Sequence, residues 1–186
     1  MPWTTADEEV VREAVEALSR IGFTLRRPIN GTDLAVDPDT AREQPEWYVL
    51  QALDDDGRPF LHRVFRYDAE CITDDESYPR LIKELAAATQ QAHLLGDVTS
   101  QLDFEAGTGW VSYEFEGRTE RVEVEVDGDW ADGAEVDGLF NALGVPDCWE
   151  VYLASGQGGT YYWVPDDGLE TFKSFVPDEE LPNLNL

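Results

Sequence analysis

Residues 110–127 read Trp-Val-Ser-Tyr-Glu-Phe-Glu-Gly-Arg-Thr-Glu-Arg-Val-Glu-Val-Glu-Val-Asp. Side chains on a strand point to opposite faces in turn, so the alternation from Trp110 to Glu116 predicts a strand. Gly117-Arg118 supplies a turn, and the same alternation resumes from Glu120 to Asp127. Val111, Tyr113 and Phe115 fall on one side, with Val122, Val124 and Val126 across the turn. The other side carries Glu114 and Glu116 beside Arg121, Glu123, Glu125 and Asp127. An antiparallel hairpin with one dry face and one strongly acidic wet face follows.

Outward from this hairpin, the Asp/Gly-rich residues after Asp127 lead to a short helix over residues 135–143, closed by Gly144 and Pro146. Residues 149–154 and 160–164 form a further hairpin around Gly156-Gln-Gly-Gly159. Asp166 or Asp167 then caps a last helix through Phe175. Towards the N-terminus, the spacing of Leu81, Ile82, Leu85, Ala88, Ala92 and Leu95 predicts a helix over residues 77–95, with Pro79 in its first turn and Gly96 closing it. Residues 47–53 and 59–67 look like two strands joined by Asp54-Asp-Asp-Gly-Arg58. Residues 28–45 read as a long loop and 23–27 as a short strand. A first helix spans 5–21, with Thr5 and Glu8 placed as a capping box. Hairpins in place of strand–helix–strand units predict an α+β fold, antiparallel sheet packed with three to four helices. The 186 residues suit a single domain. The helix-then-hairpin order occurs twice, which leaves a division into lobes 1–96 and 97–186 open.

The chain holds 40 Asp and Glu against 13 Lys and Arg, a net charge of −27. Its 42% hydrophobic content is ample for a core, so the acidity does not signal disorder. Ordinary nucleic-acid binding is excluded, because that affinity comes from cations neutralising phosphates. The charge is uneven: residues 97–150 hold 15 acids and two bases. Met1 to Glu9 has neither a cationic start nor an apolar stretch, and no uncharged segment is long enough to span a bilayer, so a soluble, cytoplasmic chain is expected. Two cysteines, Cys71 and Cys148, make no disulfide framework and read as small buried thiols.

Candidate chemical sites fail in turn. A calcium loop begun at Asp127 would need Gly at its sixth position and Glu at its twelfth, where Asp132 and Gly138 stand. His62 and His93 are too few and too separated for zinc, so no metal or other cofactor is expected. Cys71 or Cys148 with a helical His93 is the one nucleophile pairing on offer, and acidic surroundings would raise the thiol pKa and blunt it. Gly156-Gln-Gly-Gly159 leads into a strand without a base nearby, which makes it a turn and not a phosphate loop. Trp110, Trp130, Trp149, Trp163, Tyr161 and Tyr162 are mostly core, with one or two exposed to anchor an interface. A non-enzymatic chain is the expectation.

Gly128-Asp-Trp-Ala-Asp132, Leu139-Phe-Asn-Ala-Leu143, Trp149-Glu-Val-Tyr152, Gly156-Gln157 and residues 161–165 together have a spacing that resembles immunity proteins of bacterial polymorphic toxin systems, over about residues 110–175. The resemblance implies a non-catalytic inhibitor that covers a toxin active site. The candidate partner-binding residues are Glu114, Glu116, Glu123, Glu125, Asp127, Asp129 and Asp132. They point to a basic protein partner, such as a nuclease toxin domain whose substrate groove is cationic, with no direct contact to nucleic acid or membrane. Two other readings stay open: an acidic soluble domain from a halophilic or GC-rich genome, and an enzyme using cysteine or carboxylate chemistry.

Overall fold

The computed structural model describes residues 4–29 and 38–186. Helices and antiparallel sheets alternate along the chain, an α+β fold. Two compact units are present: Met1–Arg66, Asp147–Ala154 and Thr160–Leu186 form unit 1, and Tyr67–Pro146 with Ser155–Gly159 form unit 2.

In unit 1, helix α1 (Thr5–Arg20) buries Val11, Ala14 and Leu18, the stripe that its spacing demands. Its capping box sits one residue earlier than expected, on Thr4 and Asp7 in place of Thr5 and Glu8. The Asp7 carboxylate accepts both the Thr4 N–H and the Thr4 hydroxyl at 2.7 Å. It also accepts Arg42 Nε at 2.6 Å and Nη2 at 2.9 Å. Arg42 lies on helix α2 (Pro38–Glu43), within the stretch expected to be loop; residues 30–37 of that stretch lie outside the described residues.

Residues 47–53, expected to be a strand, are mostly helix α3 (Pro45–Gln51). Pro45 presets the first-turn φ, and the Trp47, Val49 and Leu50 side chains are buried, with α3 packed on α1. The turn at residues 54–58 survives, with Asp54 accepting the Asp56 and Arg58 N–H groups and Gly57 at φ +76°. The expected hairpin around it shrinks to one bridge, Leu53 with Pro59, and the 23–27 strand to another, Leu25 with Leu61.

A four-stranded sheet has the order β1 (Val64–Asp68), β6 (Gly158–Pro165), β5 (Cys148–Ser155), β7 (Leu184–Asn185). The division between the units counts the last residues of β1 and the tip of the β5–β6 hairpin with unit 2. Strand β7 arises in the tail, for which no strand is expected. Asp166 and Asp167 lie inside a 3-10 turn, and helix α6 (Leu169–Phe175) starts after it with Gly168 at its cap, so neither aspartate caps it. Leu18, Phe23, Phe60, Val151, Tyr162 and Phe172 share the core of this unit, with the Phe172 ring stacked at 5.8 Å on Phe23 and tilted at 5.2 Å from Tyr162.

In unit 2, helix α4 (Ser77–Ala88) stops seven residues short of the expected Leu95. Gln90 takes a left-handed φ of 62°, and the Gln90 and Gln91 N–H groups turn back onto the Ala87 and Ala86 carbonyls, the double closure of a Schellman end. His93 consequently lies exposed in a turn and not on a helix. Leu95 opens strand β2 (Leu95–Asp103), which the sequence reading misses; Gly96 lies within it, and so does the 96/97 lobe boundary. Strands β3 (Thr108–Phe115) and β4 (Arg118–Glu125) form the expected hairpin, with sheet order β2-β3-β4. The turn residues are Glu116 and Gly117, both left-handed at φ 51° and 74°, one position earlier than Gly117-Arg118. That pair of conformations matches the strand twist.

The register places Ser100, Val111 and Val122 in one row, and Val98, Tyr113 and Glu120 in the next. This is the dry face; Val98, Val111, Tyr113 and Val124 on it are buried. Helix α4 packs on β2 and on α5 (Gly133–Leu143), whose Val136, Leu139, Phe140 and Leu143 are buried. Six α-helices stand among the described residues against the three to four expected, because α2 and α3 form where a loop and a strand are anticipated.

Candidate functional site

The wet face of the unit 2 sheet follows from the same register. Rows run Gln101–Trp110–Glu123, Thr99–Ser112–Arg121 and Asp103–Thr108–Glu125, with Glu114 opposite Thr119 beside the turn. Glu123 and Glu125 therefore project from one end of β4, about 6.6 Å apart. Glu114 and Glu116 stand at the other end, roughly 20 Å away along the strand. Arg121 and Trp110 lie between them, the guanidinium 4.1 Å above the indole ring. Arg121 Nε also approaches Glu123 at 3.6 Å; these side chains are 54% and 78% exposed, so the pair is a loose, solvated one.

The seven candidate residues thus divide into three sets. Glu123, Glu125, Asp127 and Asp129 are exposed and gather where β4 runs into the following turn, closed by an Asp127–Trp130 bridge. Glu114 is half-buried and its carboxylate lies against Gly96; a Cβ there would stand 2.8 Å from Glu114 Oε2. Glu116 is a turn residue.

Asp132 has a different job. Its Oδ1 accepts the Ala134 N–H at 3.1 Å and the Glu135 N–H at 3.4 Å, which caps α5. Its Oδ2 accepts the Glu125 N–H at 2.9 Å. Its own N–H donates to the Tyr78 hydroxyl at 2.9 Å. Both carboxylate oxygens of Asp132 are committed within the chain, so it positions the loop more than it presents charge. Asp129 holds the same loop through its carbonyl, which accepts the Ile72 N–H at 2.9 Å, and leaves its carboxylate outward.

Two exposed aromatics accompany the acids. Trp130 is 42% exposed inside the acidic turn, and Phe104 is 46% exposed in the β2–β3 turn. The Val126 N–H donates to the Gly107 carbonyl at 3.1 Å, which brings these two turns together at the Glu125 end of the sheet. Trp130 and Trp149 answer to the expectation of one or two exposed aromatics, but only Trp163 and Tyr162 of the six are buried, Trp110 and Tyr161 being half-buried, so the set is not mostly core. Phe104 was missed, and its signal was an aromatic set between Asp103 and Glu105 in a glycine-ended turn.

Unit 2 carries 19 acids against four bases. Ion pairs within it include Arg80–Asp74 and Arg121–Glu123, both between exposed side chains. In unit 1 Arg12, Arg27, Arg42, Arg58 and Lys173 each hold a carboxylate of their own unit. Unit 2 thus carries a net charge of −15 against −12 for the rest of the chain, and its bases are fewer.

Both thiols are half-buried, where fully buried ones are expected. Burial pushes Cys71 up to about 11, with Asp68 adding to it, and burial likewise raises Cys148 despite the Arg63 Nη1 donor 3.1 Å away. Desolvation thus leads where acidic surroundings alone are expected to act, and both thiols are protonated at neutral pH. Among the described residues no three His, Cys, Asp or Glu side chains are placed to hold a metal ion, and no helix is long and apolar enough to cross a membrane. Comparison with protein-family models, curated proteins and solved structures finds no match to this chain.

Proposed function

We propose that the chain is a cytoplasmic, non-catalytic binding protein that docks a basic protein partner through the acidic end of the unit 2 sheet, as an immunity-type inhibitor covers a toxin's cationic active site. The supporting observation is the cluster of Glu123, Glu125, Asp127 and Asp129, all exposed, with Trp130 half-open among them. Acids at two-residue spacing on a rigid strand suit a groove that ordinarily holds successive phosphates, and complementary potentials raise the encounter rate. Trp130 supplies what charge alone does not, a broad apolar surface that slows departure once docked.

The test first asks whether a secreted protein with a cationic C-terminal domain is encoded beside this chain, and then assays that domain for nuclease activity and for binding by surface plasmon resonance; absence of such a neighbour counts against the proposal. The chain in excess is expected to abolish the activity. Reversing Glu123 and Glu125 together to lysine is expected to slow association about tenfold or more at low salt, with the difference fading as salt screens it. Full nuclease activity in the presence of the chain, or an unchanged on-rate for the reversed variant, overturns the proposal.

A further inference from the structure

Strand β4 is the last in its sheet, and its outer edge is open over most of its length. In a hairpin closed by a two-residue turn, Phe115 and Arg118 exchange backbone hydrogen bonds, and so does every second pair beyond them. With the register Tyr113–Glu120, Val111–Val122 and Gly109–Val124, the N–H and C=O groups of residues 118, 120, 122 and 124 point to β3. Those of Thr119, Arg121, Glu123 and Glu125 point away from it. The Asp132 carboxylate meets the Glu125 N–H from that side, as this phase requires. No other strand or side chain meets the edge at Thr119, Arg121 or Glu123 among the described residues. On the opposite edge the Leu102 N–H of β2 donates to Asp75 Oδ1 at 2.6 Å, and the Ser100 hydroxyl donates to the Asp75 carbonyl. Each outer edge thus has one backbone N–H held by an aspartate, Leu102 on β2 and Glu125 on β4, and on β4 the groups of Thr119, Arg121 and Glu123 remain as a row of unmet donors and acceptors.

We infer that β4 takes up an extended, basic segment of the partner as a fourth antiparallel or parallel strand. This rests on the proposed acidic docking face and specifies how that face is used. Main-chain hydrogen bonds to Thr119, Arg121 and Glu123 give the affinity, and alternate side chains give the selectivity. A strand laid there sends every second side chain over the wet face, beside Glu123 and Glu125, so basic residues at two-residue spacing meet successive carboxylates. Its intervening side chains fall beside Glu120 and Val122. Charge decides the occupant. A second copy could set its Arg121 against Glu123 across the edge, but it would bring another net charge of −27 with it. A cationic strand meets no such opposition, and the exposed charges along β4 guard the edge against neutral strands.

The test is an NMR titration of the isotope-labelled full chain with a short peptide of alternating lysine and valine. The control is the same peptide N-methylated at the positions that would face β4, with the charge unchanged. The expected result is slowed amide exchange at Thr119, Arg121 and Glu123, and binding weakened about tenfold or more by N-methylation. Thr119→Pro, which deletes one outward N–H and spares the β3 ladder, is expected to weaken the unmethylated peptide while the Val111 and Tyr113 amides stay protected. If both peptides bind alike and E123K/E125K removes both, strand addition is overturned while the acidic docking face stands. If neither peptide binds, both fall. Concentration-dependent protection of the β4 edge without peptide shows a second copy in place and overturns the assignment.

Discussion

Replacing Asp132 by alanine removes two supports at once, and the structure separates their sizes. The carboxylate caps α5 by accepting the Ala134 and Glu135 N–H groups, and loss of such a cap costs about 1 kcal/mol. Its second oxygen accepts the Glu125 N–H on the open strand edge at 2.9 Å. That charged hydrogen bond adds about 1 kcal/mol, less than a buried one because water replaces it. D132A is therefore expected to lose about 2 kcal/mol, seen as a drop of more than 1 M in the urea midpoint if m for an element of this size is about 1.5 kcal/mol/M. D132N divides the loss. Asparagine caps as well as aspartate, but its amide nitrogen is a donor and cannot accept the Glu125 N–H. It is expected to lose about half as much, with fast amide exchange at Glu125 and retained protection at Ala134 and Glu135. A D132A midpoint equal to that of the native chain, or an unchanged Glu125 exchange rate in D132N, refutes the two-part role.

Acid titration tests the Asp7 hub. The Arg42 guanidinium, helped by Thr4, holds the Asp7 carboxyl below its ordinary range. Its contribution is therefore present above about pH 4 and is lost as pH falls further, so D7N is expected to be less stable at pH 7 and to show a shallower loss below pH 4. Parallel acid limbs in thermal melts of the two proteins contradict this. Gly158→Ala places a Cβ 2.0 Å from the Tyr67 carbonyl oxygen and is expected to cost about 3 kcal/mol or more. Gly117→Ala meets nothing within 4 Å and suffers only from its φ of +74°, about 1 kcal/mol; equal midpoints in urea for the two variants refute the distinction. The Cys71 thiol, pushed up to about 11, is expected to react slowly with iodoacetamide at pH 8 and to speed up on denaturation. Rapid labelling of the native chain at that pH shows the thiol to be open.

Local alternation carried the β3–β4 hairpin, because a two-residue period with valine inside and glutamate outside admits one register. The helix expected over 135–143 and the Gly156 turn were legible from their local stop residues, although the helix starts at Gly133, two residues earlier. Long-range competition hid the rest. Trp47, Tyr48, Val49 and Leu50 have strand-like composition, and it is Pro45 and the apolar flank of α1 that make them helical. Leu95 extended the α4 stripe on paper, and the left-handed Gln90, an unusual residue for that position, ended it. The acids of the candidate face were readable one by one. That Asp132 serves the α5 cap, and that Arg121 covers Trp110, required the tertiary register.

The discontinuity of unit 1 bears on the order in which the protein comes off the ribosome. Helix α1 emerges early, but the core residues Val151, Tyr162 and Phe172 that complete its surroundings follow only after all of residues 67–146. The inserted stretch can collapse on its own contacts while the flanking piece, with α3 already available to pack on α1, waits for the rest of its core. During that interval a net negative charge makes neighbouring copies repel one another, which opposes their association through the incomplete core.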